Sequence, residues 1–167
     1  MPRLFYAIWP DDTAKAKLSA HAQELAGRLG GRPVPVDNIH LTLAFLGTIP
    51  DGRVAEAMAV RAKQPSFALS TDFLGSFRGA RVAWAGIEPV PEELVTLHHL
   101  LAAELHVRGF QLEERRFVPH LTLARKIQDL QPRTTMEPVK WVVRSVQLMR
   151  TELGTGRYAR LGGWRLR

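Results

Sequence analysis

The pentapeptide His-Leu-Thr-Leu-Ala occurs twice in this chain, at residues 40–44 and again at 120–124. With ordinary residue usage, an identical pair of pentapeptides in a chain this long arises by chance on the order of once in a hundred sequences, so the repeat asks for a structural reason. Each copy lies in an apolar, branched run, Ile39 to Leu46 and about Val118 to Lys126, that reads as a β-strand. Alternation puts His40, Thr42 and Ala44 on one face and Leu41, Leu43 and, mainly, Phe45 on the other. It separates His120, Thr122 and Ala124 from Leu121 and Leu123 in the same way. The leucines can pack on helices. The His/Thr face cannot be core without polar partners, because buried polar groups must be hydrogen-bonded. A solvated groove between two similar lobes satisfies both faces of both strands.

The flanking pattern agrees with a repeated architecture. Residues 3–9 read as a strand that stops at Pro10, Asp11-Asp12-Thr13 offers helix caps, and Ala14, Leu18, Ala22, Leu25 and Leu29 recur at helical spacing before Gly30-Gly31. A short extended link spans Pro33 to Val36. After the first pentapeptide strand, a second helix is expected from Asp51 to about Lys63, then strands at Phe67 to Phe73 and Ala80 to Ile87 around a Gly75–Gly79 turn. Pro91 and two glutamates open a third helix with Leu94, Leu97, Leu101 and Leu105 on one stripe. The second pentapeptide follows. Residues 127–137 read as a loop or short helix, and Trp141 to Met149 and Tyr158 to Leu166 as two closing strands. The expectation is an α+β protein, one domain over 1–167, of two pseudo-symmetric lobes. Each is a small, mainly antiparallel sheet backed by helices, with cores carried roughly by 1–85 and 86–167 and strand exchange between the lobes allowed.

Composition narrows the function classes. With no cysteine there is no disulfide framework, thiolate nucleophile or zinc–thiolate site, and a cytoplasmic location is the simplest expectation. No apolar run reaches membrane-spanning length, and the first residues are too short and lightly charged for a secretory signal. Lys and Arg number 23 against 16 Asp and Glu, and from Arg115 onward twelve cations face only Asp129, Glu137 and Glu152. Most are arginine, which suits bidentate contact with phosphate. An anionic partner, nucleic acid or nucleotide, fits that imbalance. His21, His98, His99 and His106 read as ordinary helix histidines rather than metal ligands, Gly154-Thr-Gly156 as a hairpin turn, and Arg115-Arg116 as solvated loop charge.

Two imidazoles and two hydroxyls suit acid–base work on a phosphate. Histidine exchanges protons near neutrality, so one imidazole can take a proton from water while the other gives one to a leaving oxygen. The hydroxyls can hold the phosphorus between them, and no cofactor or metal is needed.

Four segments carry a family resemblance: Arg3-Leu-Phe-Tyr-Ala-Ile, Asn38-Ile-His-Leu-Thr-Leu-Ala-Phe-Leu-Gly47, Phe117-Val-Pro-His-Leu-Thr-Leu-Ala-Arg125 and Gly156-Arg-Tyr158. They resemble the 2H phosphoesterase superfamily, and within it the RNA 2′,3′-cyclic phosphodiesterases once called 2′-5′ RNA ligases. The resemblance implies a bilobal fold with both motifs in one groove. It also implies hydrolysis of a terminal 2′,3′-cyclic phosphate, on RNA or a small cyclic nucleotide, to a 2′-phosphomonoester; a monomer is expected. His40 would be the proton donor, His120 the proton acceptor, and Thr42, Thr122 and Arg125 the phosphate-binding groups. Phe45 is a base-stacking candidate. Strict strand parity turns both Arg125 and Phe45 away from the histidines, so each needs a bend in its strand to reach the groove. Two rival activities use the same groove: reversible 2′-5′ RNA ligation, and non-catalytic binding of RNA or nucleotide ends.

Overall fold

The computed structural model describes residues 1–167. Strand β1 (Arg3–Ile8) is buried on both faces: Leu4, Tyr6 and Ile8 enter the main core, while Phe5 and Ala7 join Met149 in a small second cluster flanked by Trp9 and Tyr158. Helix α1 (Asp12–Leu29) begins where the Asp11 carboxylate accepts the Ala14 N–H at 2.8 Å. It buries the leucine and alanine stripe read from the sequence, and Gly30 ends it in a left-handed conformation, φ 73°. There follow β2 (Arg32–Pro33), a 3-10 turn (Val36–Asn38), β3 (Leu41–Thr48), another 3-10 turn (Asp51–Arg53) and α2 (Val54–Ala59). The rest of the chain forms β4 (Phe67–Phe77), β5 (Val82–Gly86), α3 (Glu92–Val107), β6 (His120–Arg125), β7 (Thr134–Val143), β8 (Ser145–Glu152) and β9 (Arg157–Arg165).

The strands form one sheet in the order β7-β4-β5-β6-β3-β1-β8-β9, with β2 also on β6, and every pairing is antiparallel. Between β3 and β6 the only pairing is Leu41 with Leu121, so the sheet is nearly divided there. Its two halves correspond, β1 to β5, β3 to β6, β8 to β4 and β9 to β7, and α1 lies between β1 and β3 in the chain as α3 lies between β5 and β6. Leu41 and Leu121 are both fully buried. Burying a leucine is worth about 2–3 kcal/mol, so a one-residue slip of either strand, which would expose its leucines, is strongly disfavoured. That cost fixes which face the histidines take.

The halves are not consecutive in the chain. The late strands β8 and β9 complete the half begun by β1 and β3, and β4 and β5 join the half of β6, so the halves exchange strands across the expected division near residue 85. Helix α1 lies against β2, β6 and β7, and α3 against β3, so each helix also packs across the divide. The run expected as one strand over Trp141 to Met149 breaks at Arg144, and its two parts, β7 and β8, belong to opposite halves. A continuous apolar run carries no local mark of the chain leaving one half for the other.

Three further expectations are corrected. The second helix is a 3-10 turn and only six residues of α-helix. Strand β7 starts at Thr134, inside the expected loop, and holds Pro138 because it is an edge strand with an irregular register opposite Asp72. Gly75 lies within β4 rather than in a turn: a Cβ there would meet the Trp84 ring at 2.7 Å. No helix is long and apolar enough to cross a membrane.

Candidate active site

The Leu41–Leu121 pair is the pivot of the site. Continuing its antiparallel register puts His40 across from Thr122 and Thr42 across from His120, all four on the face opposite the buried leucines. All four are half-buried. Each histidine is held in the same way. His40 Nδ1 stands 2.7 Å from the Asn38 carbonyl oxygen, and His120 Nδ1 stands 2.7 Å from that of Val118. A carbonyl only accepts, so both Nδ1 atoms carry a proton and both Nε2 atoms are left to the groove. The surroundings then differ. The Thr42 hydroxyl donates to His40 Nε2 at 3.0 Å, whereas His120 Nε2 has no protein partner.

The aromatic walls are also unequal. His40 sits among Phe5, Trp9 and Tyr158, with ring centroids at 5.1, 4.9 and 5.3 Å. His120 meets Phe77 edgewise at 5.0 Å and Trp84 at 6.0 Å. The Trp84 indole fits because Gly75 and Gly86 leave no Cβ beneath it and Phe73. None of these aromatics was assigned a role from the sequence. The available signal was weak: Phe5, Ala7 and Trp9 alternate on one face of β1, but a strand rich in aromatics on both faces hides which face borders a groove.

The irregularities of β3 and β6 decide the two remaining residues. Opposite β1, the register of β3 steps by an extra residue between Thr42 and Ala44. That bulge reverses parity, so Phe45 pairs with Phe5 on the histidine face, ring to ring at 6.0 Å. Its side chain is 53% exposed. In β6 the matching step between Thr122 and Ala124 turns Arg125 to pair with Val82, on the same face as Trp84 and Thr122. Phe45 and Arg125 hold equivalent positions, each five residues after its histidine, and both reach the groove that strict alternation denied them. The structure thus brings His40, Thr42, Phe45, His120, Thr122 and Arg125 to one face.

Burial pushes the His40 pKa down to about 4; the Asn38 carbonyl opposes this, and the Arg125 and His120 charges add to it. Burial likewise lowers the His120 pKa, opposed by the Val118 carbonyl and reinforced by Arg125. Both imidazoles are therefore neutral in the free protein near pH 7. For His40 the neutral form costs nothing above the unfolded value of about 6.5. As pH falls from there toward 4, the unfolded chain takes up a proton that the folded chain resists, and stability falls by about 3 kcal/mol before levelling off. Urea midpoints measured at pH 7 and pH 4.5 should drop clearly less for His40→Gln than for the unchanged protein. Equal drops would show that His40 is not the group resisting protonation.

No three His, Cys, Asp or Glu side chains cluster closely enough to hold a metal ion. His98 stacks face to face on Phe117 at 4.0 Å, a packing contact that holds the segment leading to His120. Gly154 and Gly156 lie in the β8–β9 hairpin turn, both at positive φ, and Arg115 and Arg116 are exposed loop residues.

A pseudo-symmetric α+β sheet that carries two imidazoles, two hydroxyls and an arginine on one face defines a phosphoesterase of the two-histidine class. The comparisons with known proteins agree. The family model described as the 2′-5′ RNA ligase superfamily matches residues 10–155, and the chain belongs to that superfamily. The RNA 2′,3′-cyclic phosphodiesterase of Escherichia coli strain K12 is 36% identical over 126 residues, 74% of this chain and 71% of that protein. The protein of that name from Thermotoga maritima is 34% identical over 131 residues, 74% and 69% of the two chains. The crystal structure of E. coli LigT complexed with 3′-AMP superposes with a TM-score of 0.85 at 31% identity, covering 99% of each chain.

Proposed function

We propose that this protein hydrolyses the 2′,3′-cyclic phosphate at an RNA end to a 2′-phosphomonoester. In this reading Arg125, Thr42 and Thr122 hold the phosphate monoanion between the imidazoles. His120 Nε2 accepts a proton from water as the water oxygen bonds to phosphorus. The bond from phosphorus to the 3′-oxygen breaks, and His40 gives that oxygen a proton from Nε2. The observation that carries the reading is the unpartnered Nε2 of His120 beside a second, differently held imidazole. A pure binding module has no need of two titrating groups so arranged.

His40 is neutral in the free site, so it must gain a proton to act as the acid. The arriving phosphate monoanion favours the imidazolium, and substrate binding is thereby coupled to proton uptake. The site is complete within one chain, which supports action as a monomer. The same steps would run with a ribose 5′-hydroxyl in place of water, its oxygen bonding to phosphorus as the bond to the 3′-oxygen breaks; water's far higher concentration makes 2′-5′ ligation the minor reaction.

The decisive assay incubates the protein with an oligonucleotide ending in a 2′,3′-cyclic phosphate and identifies which hydroxyl keeps the phosphate. The expected product is the 2′-phosphomonoester, formed equally well with EDTA present. Salt-dependent binding of the oligonucleotide without turnover would overturn the proposal.

A further inference from the structure

The two histidines share one anchoring rule, yet only the residue that anchors His40 has a side chain hydrogen-bonded to a distant segment. Asn38 makes three bonds at once. Its backbone N–H donates to the Pro35 carbonyl at 2.8 Å, and its carbonyl holds His40 Nδ1–H at 2.7 Å. Its side-chain Nδ2 donates to the Gly156 carbonyl at 2.9 Å, across 118 residues of sequence. Gly156 lies in the β8–β9 turn, and two residues on, Tyr158 presents its ring edgewise to His40 at 5.3 Å and to Phe5 at 5.0 Å. The hairpin thus grips His40 from two sides, through the carbonyl that sets its tautomer and through the ring that walls it. On the other side of the pseudo-two-fold, the anchoring residue is Val118. Its side chain offers no donor and is 45% exposed.

We propose that Asn38 is a positioning residue that latches the β8–β9 hairpin to His40, fixing that imidazole's orientation and tautomer, whereas the carbonyl that holds His120 comes from a valine with no such side-chain latch. Asn38 acts through His40 and touches no reacting atom. The latch also answers a question the repeated pentapeptide leaves open, namely how two identical motifs come to do different jobs. The general acid must aim a proton at an oxygen fixed by the ribose, whereas the general base serves a mobile water and tolerates looser holding. Only the kinetic part of this inference rests on the phosphodiesterase reading.

The test pairs a structural signature with kinetics. Imidazole nitrogen shifts of histidine, recorded by 15N NMR on the free protein, report the tautomer of each ring separately. In Asn38→Ala, His40 should lose its single Nδ1–H signature while His120 keeps its own. Turnover should show kcat down by about tenfold, the scale on which an outer partner of a functional histidine acts, with KM within about twofold. Asn38→Asp keeps the shape, turns the donor into an acceptor facing the Gly156 carbonyl and adds a negative charge. It should disturb His40 in the same way and move the His40 limb of the pH–rate profile upward. Val118→Ala should leave both rings unchanged. An unaltered His40 signature with kcat within twofold in Asn38→Ala would overturn the proposal. So would equal disturbance of His40 and His120 together with a large loss of thermal stability, which marks a general structural role. If the unchanged protein turned over no cyclic phosphate, the proposed function would fail, and the nitrogen shifts would still decide the latch.

Discussion

Replacing His40 or His120 with alanine should lower kcat on a terminal 2′,3′-cyclic phosphate by about a hundred- to ten-thousand-fold, the usual worth of a positioned acid or base. KM should change far less, since in the proposed mechanism Arg125 and the two hydroxyls, which these variants keep, hold the phosphate. His99→Ala, on an exposed turn of α3, should leave kcat unchanged. The double variant should be little worse than either single one, since each proton transfer is useful only if the other occurs. The pH dependence carries the sign of the burial. Burial lowers both imidazoles in the free protein, so the acid limb of kcat/KM, set by His120 as the base, should lie below pH 6.5. In the complex the phosphate charge raises His40, so the alkaline limb of kcat, set by His40 as the acid, should sit at higher pH than that of kcat/KM. Near-full activity of either motif variant would sink the two-histidine mechanism.

Arg125→Ala should cost about ten- to a hundred-fold in kcat/KM, the equivalent of one charge-assisted contact to phosphate. The loss should fall mainly on KM. A second measurement isolates the cause. The Arg125 charge helps hold both imidazoles in the neutral form, so removing it should raise the titration midpoints of His40 and His120 together in the free protein. Arg125→Lys keeps the charge but loses the planar fork, and should restore the histidine titrations better than it restores kcat/KM. Unmoved midpoints in Arg125→Ala would mean that the guanidinium does not stand beside the imidazoles.

The position of Arg125 shows where reading by alternation stops. Period two is right for His40, Thr42, His120 and Thr122, because those stretches of β3 and β6 are regular and their leucines are buried. It fails at Phe45 and Arg125 because a bulge follows each threonine, and a bulge is set by pairing with a partner strand that may lie far along the chain. The same limit explains the broken run at Arg144: both of its parts are good strands, and the half of the sheet each one joins depends on partners sixty or more residues away in sequence, β4 for β7 and β1 for β8. Gly75 misled in the opposite direction, since the close approach of Trp84 that requires a glycine is invisible in a local window.

By itself the sequence determined the elements that carry their own periodicity. These are α1 and α3 with their leucine stripes, the two pentapeptide strands, and the His/Thr face that burial of the leucines forces outward. It also carried the family, through the motifs and their flanks. The tertiary structure alone decided how the strands divide between the halves and which residues join the motifs in the groove. It also decided how two copies of one peptide become unlike. The physical reason is the same in each case. Periodicity is a local property of the chain, whereas the bulges, the aromatic wall around His40 and the bond from Asn38 to Gly156 depend on segments that only folding brings together.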